Sequence, residues 1–182
     1  SSSCIERLKN HPNEEIQKRT NKIFSKSNSN NRILVYSKFK PSLSIDGNYE
    51  KGKLHFLARC STCHLLDDIG RDVGPNLKAL SDKSRQSLFD AILNPSSSIE
   101  PQYLAYNLDH QGEIIFGLIQ SETSNSLIMK LLDGTTRAVK RSEITSLQGT
   151  GKSIMPDGLE VGLSVQDFAD LLKFLDKELR LD

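Results

Sequence analysis

Tryptophan is absent from the 182-residue chain, methionine occurs twice and cysteine three times. Three cysteines cannot build a disulfide framework. Neither sign of charge dominates: 24 Lys and Arg stand against 23 Asp and Glu, for a net charge of +1. That balance argues against nucleic acid or an anionic membrane as the main partner, since neither finds a basic patch to hold. No apolar run approaches the length of a membrane span. The Ser-Ser-Ser opening carries no basic n-region and no apolar h-region, which reads as a chain already freed of its signal peptide or as a piece of a longer protein. With 36% hydrophobic residues and a mean hydropathy of -0.42, the core is modest: one generous domain, or a domain with an appendage.

What is present falls into blocks. Asn13 followed by Glu14 and Glu15 predicts a helix start, with Ile16, Ile23 and Phe24 as its apolar positions. After a polar break over 25–31, Ile33, Leu34, Tyr36 and Phe39 predict a second short helix that stops before Pro41. Residues 1–48 thus read as an N-terminal helical extension, closed by Asp46-Gly47-Asn48. A helix is expected from about Tyr49 to Cys60. A polar loop over 67–73, a turn through Leu77 and Leu80, and a helix capped by Ser81 or Asp82 and running to Leu93 follow. From Tyr103 the period shortens. Apolar stretches at 103–108, 114–119, 127–132 and 136–139, with a hairpin signal at Asp133-Gly134, predict a small antiparallel unit of four or five strands. Residues 150–163 read as a Gly-rich loop, and Ser164 with Asp167 predicts a capping box for a last helix.

Chemistry concentrates at Cys60-Ser61-Thr62-Cys63-His64. Cys-x-x-Cys-His is the attachment signature of a c-type haem: two thiols at a helix end can each add to one vinyl group of the same porphyrin, and the adjacent His64 supplies the proximal iron ligand. A dithiol redox pair has no need of the histidine, and a zinc site would require a second ligand pair that the chain does not contain. Cys4 reads as a loose thiol near the terminus. For the sixth iron position a thioether is the usual counterpart of His in cytochromes c. Met129 falls inside a predicted strand and reads as a packing residue. Met155, in a Met-Pro context just before the last helix, is placed to fold over the distal face. His11, His55 and His110 are the rivals, and each reads as a solvated residue.

Gly52-x-x-x-Phe56-x-x-x-Cys60-x-x-Cys63-His64 resembles the first helix and attachment site of class I cytochromes c. Gly74-Pro75-Asn76-Leu77 resembles that family's loop, and 169–175 its terminal helix. The resemblance covers roughly 49–94 and 150–179. It implies that Pro75 accepts the ring N–H of His64, that Leu77 packs on the porphyrin, and that Leu171 and Phe174 cross the first helix near Gly52 and Phe56. The family's common Trp contact to a haem propionate has no counterpart here, and Arg71 is the candidate substitute. With its segment 94–149 the chain is also similar to the haem-binding domain of the Planctomycetes–Verrucomicrobia type.

The expected fold is therefore a mainly α class I cytochrome c core over 49–182 interrupted by a small antiparallel β insertion at 103–149, α+β overall. The expected function is one-electron transfer by one covalently bound, His64/Met155-ligated haem c, accepting electrons from a redox partner or a neighbouring dehydrogenase domain. A haem enzyme or gas sensor in which Met155 is displaced is the alternative. Haem attachment implies an exported, periplasmic setting. The insert could dock a partner or shield the haem edge, and the sequence does not choose.

Overall fold

The computed structural model describes residues 11–25 and 29–180; Cys4 and the side chains of Ile23 and Phe24 lie outside the described residues. The chain divides into two units, 1–38 and 39–182. The first carries α1 (Glu14–Ser25) and nearly all of α2 (Ser29–Phe39). Asn13 Oδ1 accepts from the Glu15 amide at 2.9 Å, satisfying one of the first-turn donors that a helix leaves unpaired. The second unit holds α3 (Tyr49–Arg59), α4 (Arg85–Leu93), strands β1 (Leu104–His110), β2 (Glu113–Glu122), β3 (Ser126–Lys130), β4 (Thr136–Lys140) and β5 (Ile144–Ser153), and α5 (Val165–Glu178). No described helix is long and apolar enough to cross a membrane.

The helices of the second unit start where side chains can cap them. Asn48 accepts from the Lys51 amide, and Ser164 and Asp167 form a reciprocal capping box. α3 and α5 cross at Gly52, where an added Cβ would run into the Asp170 carbonyl oxygen; only glycine permits that approach. Phe174 then packs between Tyr49 and Phe56, with ring centroids 5.3 and 5.4 Å apart. Phe168, further up α5, stacks between Phe39 and Phe89 at 5.0 and 5.7 Å. Buried Asp170 ties the crossing to the entry of α3 by accepting from the Asn48 amide at 2.7 Å and from Gln166 Nε2 at 2.9 Å.

The β segment corrects the expected fold class. It is a five-stranded antiparallel sheet in the order β4-β3-β2-β1-β5. A mainly α core with a small insertion is therefore wrong: the protein is α+β, with the sheet as a full partner of the helices. The shortfall lies chiefly in β5. Its sequence, Ile-Thr-Ser-Leu-Gln-Gly-Thr-Gly-Lys-Ser, has no clean alternation and two glycines, and its last residues fall in what reads as a Gly-rich loop. Pairing with β1 from His110 to Leu104 holds it extended, because strand formation follows neighbours more than intrinsic preference.

Both faces of the sheet carry apolar side chains. Leu108, Ile115, Leu127, Met129 and Val139 form a buried cluster on one face. Successive strand residues point to opposite faces, so Ala105, Phe116 and Leu118 lie on the other, where Ala105 and Leu118 cluster with Ile154 and Tyr103.

Candidate functional site

The end of α3 winds directly into the Cys-x-x-Cys-His segment. The Cys60 amide donates to Phe56 O at 2.8 Å, and the amides of Cys63 and His64 both donate to Cys60 O, at 3.0 and 2.9 Å. These bonds coil the five residues into tight turns that bring both thiols and the imidazole to one place. The loop 73–77 is clamped on this coil: Val73 and Gly74 amides donate to Cys63 O at 3.0 and 2.7 Å, and the Leu77 amide to Leu65 O at 3.0 Å. Asn76 Oδ1 caps the following 3₁₀ turn through the Lys78 amide.

That clamp fixes the histidine. His64 Nδ1 lies 2.9 Å from Pro75 O. A carbonyl only accepts, so Nδ1 carries the hydrogen and Nε2 keeps its lone pair. Burial holds the His64 pKa below its ordinary value, with the Pro75 hydrogen bond acting in the opposite direction. The ring is thus a neutral imidazole in a defined tautomer, the state that ligates a metal. Gly74 packs flat against it: a Cβ there would stand 2.8 Å from Cε1.

Cys60 and Cys63 are both free and half-buried. Burial pushes the Cys60 thiol up to about 12 and raises that of Cys63 as well. A dithiol exchange centre needs a thiolate near neutrality. This pair has none.

A cavity of about 820 Å³ opens beside the motif, and Phe56, Cys60, Cys63, His64, Pro75, Leu77 and Met155 all line it. Its volume falls in the range of roughly 300–1,000 Å³ of sites that enclose a small molecule or cofactor. α4 adds Leu88, Ala91 and Ile92, the turn before β1 adds Tyr103, and the sheet adds Ala105 and Phe116, with Leu132 beyond β3. Phe116 and Leu132 remain 39% and 45% exposed; as lining residues, they are apolar groups that an occupant of the cavity would cover. Met155 sits on the loop after β5. That loop is anchored at both ends: the Ile154 amide donates to Tyr103 O at 3.0 Å, and Arg59 Nη1 donates to the carbonyls of Leu159 and Val161, each at 3.1 Å. The residue before Cys60 therefore holds the Met155 loop over the same cavity.

Other candidates go elsewhere. Met129 is fully buried in the sheet cluster, as expected of a packing residue. Arg71 donates to Asp133 O at 2.7 Å and is not on the cavity wall. His55 Nε2 is 3.4 Å from Asp167, His110 lies between Glu143 and Arg137, and His11 Nδ1 accepts from the Asn13 amide. His55, Asp167 and Asp170 bring ligand atoms within 4.8 Å of one another, but both carboxylates already accept hydrogen bonds that cap α5 and fasten Asn48. The contribution of the sheet to the cavity goes beyond the expected insert. The signal was the two-faced apolar pattern of β1 and β2, which an isolated insert with one buried face would not show.

The chain matches no family model, and no curated protein matches it.

Proposed function

We propose that this chain is a c-type cytochrome module for one-electron transfer, carrying one haem c bonded to Cys60 and Cys63 and ligated by His64 and Met155. One observation carries the reading: a neutral imidazole, its Nδ1–H held by Pro75, lines one apolar cavity together with two unactivated thiols and the thioether of Met155. The residues suit that group in kind. Cys60 and Cys63 would anchor it covalently, His64 nitrogen and Met155 sulfur would hold its iron, and Phe56, Leu77, Leu88 and Ile92 would give it apolar walls. A haem bound there supplies an Fe(III)/Fe(II) couple whose potential a methionine ligand raises.

The chain's own part is positional. Pro75 and Gly74 fix the imidazole, Arg59 holds the loop bearing Met155, and the apolar walls keep water from the ring, which favours the less charged reduced state. Were His64 and Met155 both to hold the iron, no coordination site would stay open, which favours a carrier over a peroxidase-like enzyme or gas sensor. Electrons would come from a redox protein or a neighbouring dehydrogenase domain, in the exported compartment where haem attachment takes place.

Optical spectra of both oxidation states, with and without carbon monoxide, test this. The expected ferric spectrum contains the long-wavelength iron–thioether band, and the reduced spectrum is unmoved by carbon monoxide at neutral pH. Rapid carbon monoxide binding would place the protein among the ligand-binding haem proteins instead.

A further inference from the structure

We propose that Lys152 is the ion-pair partner of a carboxylate on the occupant of the cavity, the haem propionate, an assignment that rests on the cytochrome reading above. The charged side chains on the cavity wall besides the histidine are Arg59, Glu100, Lys152 and Asp157. Arg59 is engaged by the loop carbonyls of Leu159 and Val161. Glu100 Oε2 accepts from Gln102 Nε2 at 2.7 Å, and Asp157 has a partner of its own. Lys152, among the described residues, has no ion pair and no side-chain hydrogen bond.

Its setting is the polar part of the wall. Ser153 beside it donates its amide to Ser96 Oγ at 3.1 Å, and Thr150 donates to Ala105 O at 2.9 Å; all of these except Ala105 are polar residues on the lining. This patch comes from β5 and the segment after α4, and the Cys-x-x-Cys-His coil contributes nothing to it. A porphyrin carries its two vinyl groups on one edge and its two propionates on the opposite edge. A ring bonded through both vinyls to Cys60 and Cys63 would therefore direct its carboxylates away from the motif. On the cavity wall α4 offers only Leu88, Ala91 and Ile92, and a carboxylate without a partner against such residues would be left largely desolvated. Lys152, on the cavity wall, supplies the missing cation, on a long apolar stem that lets the charge reach beyond the strand.

β5 is an edge strand, and lysines on edges commonly serve only to discourage pairing with another chain. The two roles differ in what they do to the haem. In the holoprotein, Lys152→Gln should lower the reduction potential, Lys152→Glu should lower it further, and Lys152→Arg should retain the wild-type value, because a nearby cation favours the reduced iron. Removing the cation also raises the propionate pKa, so the Lys152→Gln potential should begin to fall with rising pH through neutrality while the wild type stays flat. The titratable groups facing this region are Glu100 and Tyr103 from the turn before β1, Asp157 from the loop, and His64 and Arg59 from the motif side. Burial raises the Tyr103 pKa, keeping it protonated, and Glu100→Gln in the Lys152→Gln background must leave the new slope in place. A covalent haem with unchanged potential and slope in Lys152→Gln overturns this assignment and leaves the cytochrome reading standing, with Lys152 as an edge guard. Loss of haem attachment in both Lys152→Gln and Lys152→Arg also overturns it, since charge would not be what matters. Absence of covalent haem from the wild type overturns the cytochrome reading and this assignment together.

Discussion

Met155→Ala is expected to abolish the long-wavelength ferric band, lower the reduction potential and make the reduced protein bind carbon monoxide, while the fold survives. Met129→Ala is expected to leave the spectrum and the potential unchanged and to destabilise the fold. The two methionines differ in surroundings and not in chemistry. Met155 is half-buried on a loop along the cavity wall, so its truncation removes a thioether ligand and little packing. Met129 is wholly buried between Leu108, Ile115, Leu127 and Val139, and cutting it to alanine leaves a cavity that costs about 3 kcal/mol. Urea unfolding of both holoproteins beside their optical spectra separates the effects. A spectral change in Met129→Ala, or an unaltered spectrum in Met155→Ala, would contradict the ligand assignment.

Gly52→Ala is expected to destabilise the second unit although alanine is the better helix former. The gain in helix propensity is about 1 kcal/mol. Against it, the new Cβ would stand 2.6 Å from the Asp170 carbonyl carbon and 2.8 Å from Phe174 Cβ. α5 must then move away from α3, and Phe174 leaves its place between Tyr49 and Phe56. Overpacking of this kind costs roughly 1–3 kcal/mol and sometimes more. Because the near atoms include rigid backbone, the expected net loss is about 2 kcal/mol. Lys51→Ala, an exposed position on the same helix, should change stability by less than about 0.5 kcal/mol. Thermal unfolding of the three holoproteins measures the difference, and equal midpoints for Gly52→Ala and wild type would show that the crossing tolerates a side chain.

The parts of this protein that could be read from its sequence are those where chemistry demands a residue type at a fixed spacing. Cys60, Cys63 and His64 are close together in the chain, and Gly74-Pro75 answers them eleven residues later, at the Pro75 carbonyl. The box at Ser164 and Asp167 is equally local. The misreadings arose where distant partners decide. β5 is polar and glycine-bearing, and becomes a strand through β1. The start of α4 is capped by Ser84, whose Oγ accepts from the Ser87 amide at 3.2 Å. Asp82, an expected cap, instead accepts from the Ser84 amide at 2.8 Å and shapes the turn before the helix. Arg71 is a cation close to the motif in sequence, yet the turn at Asp133 claims it. Phe116 and Leu132 line the cavity, and the one trace of this in the sequence is the two-faced apolar pattern of β1 and β2. The insert is thus a wall of the pocket as well as any surface it offers to a partner.

A c-type cytochrome requires a covalent bond between this chain and a porphyrin. The direct measurement is the intact mass of the denatured full chain after expression in an exporting host with haem-attachment machinery. The expected mass is that of the polypeptide plus one haem, reverting to the bare polypeptide in the Cys60→Ala, Cys63→Ala double variant. A wild-type chain of bare polypeptide mass, from a host that attaches haem to a control cytochrome, would contradict it.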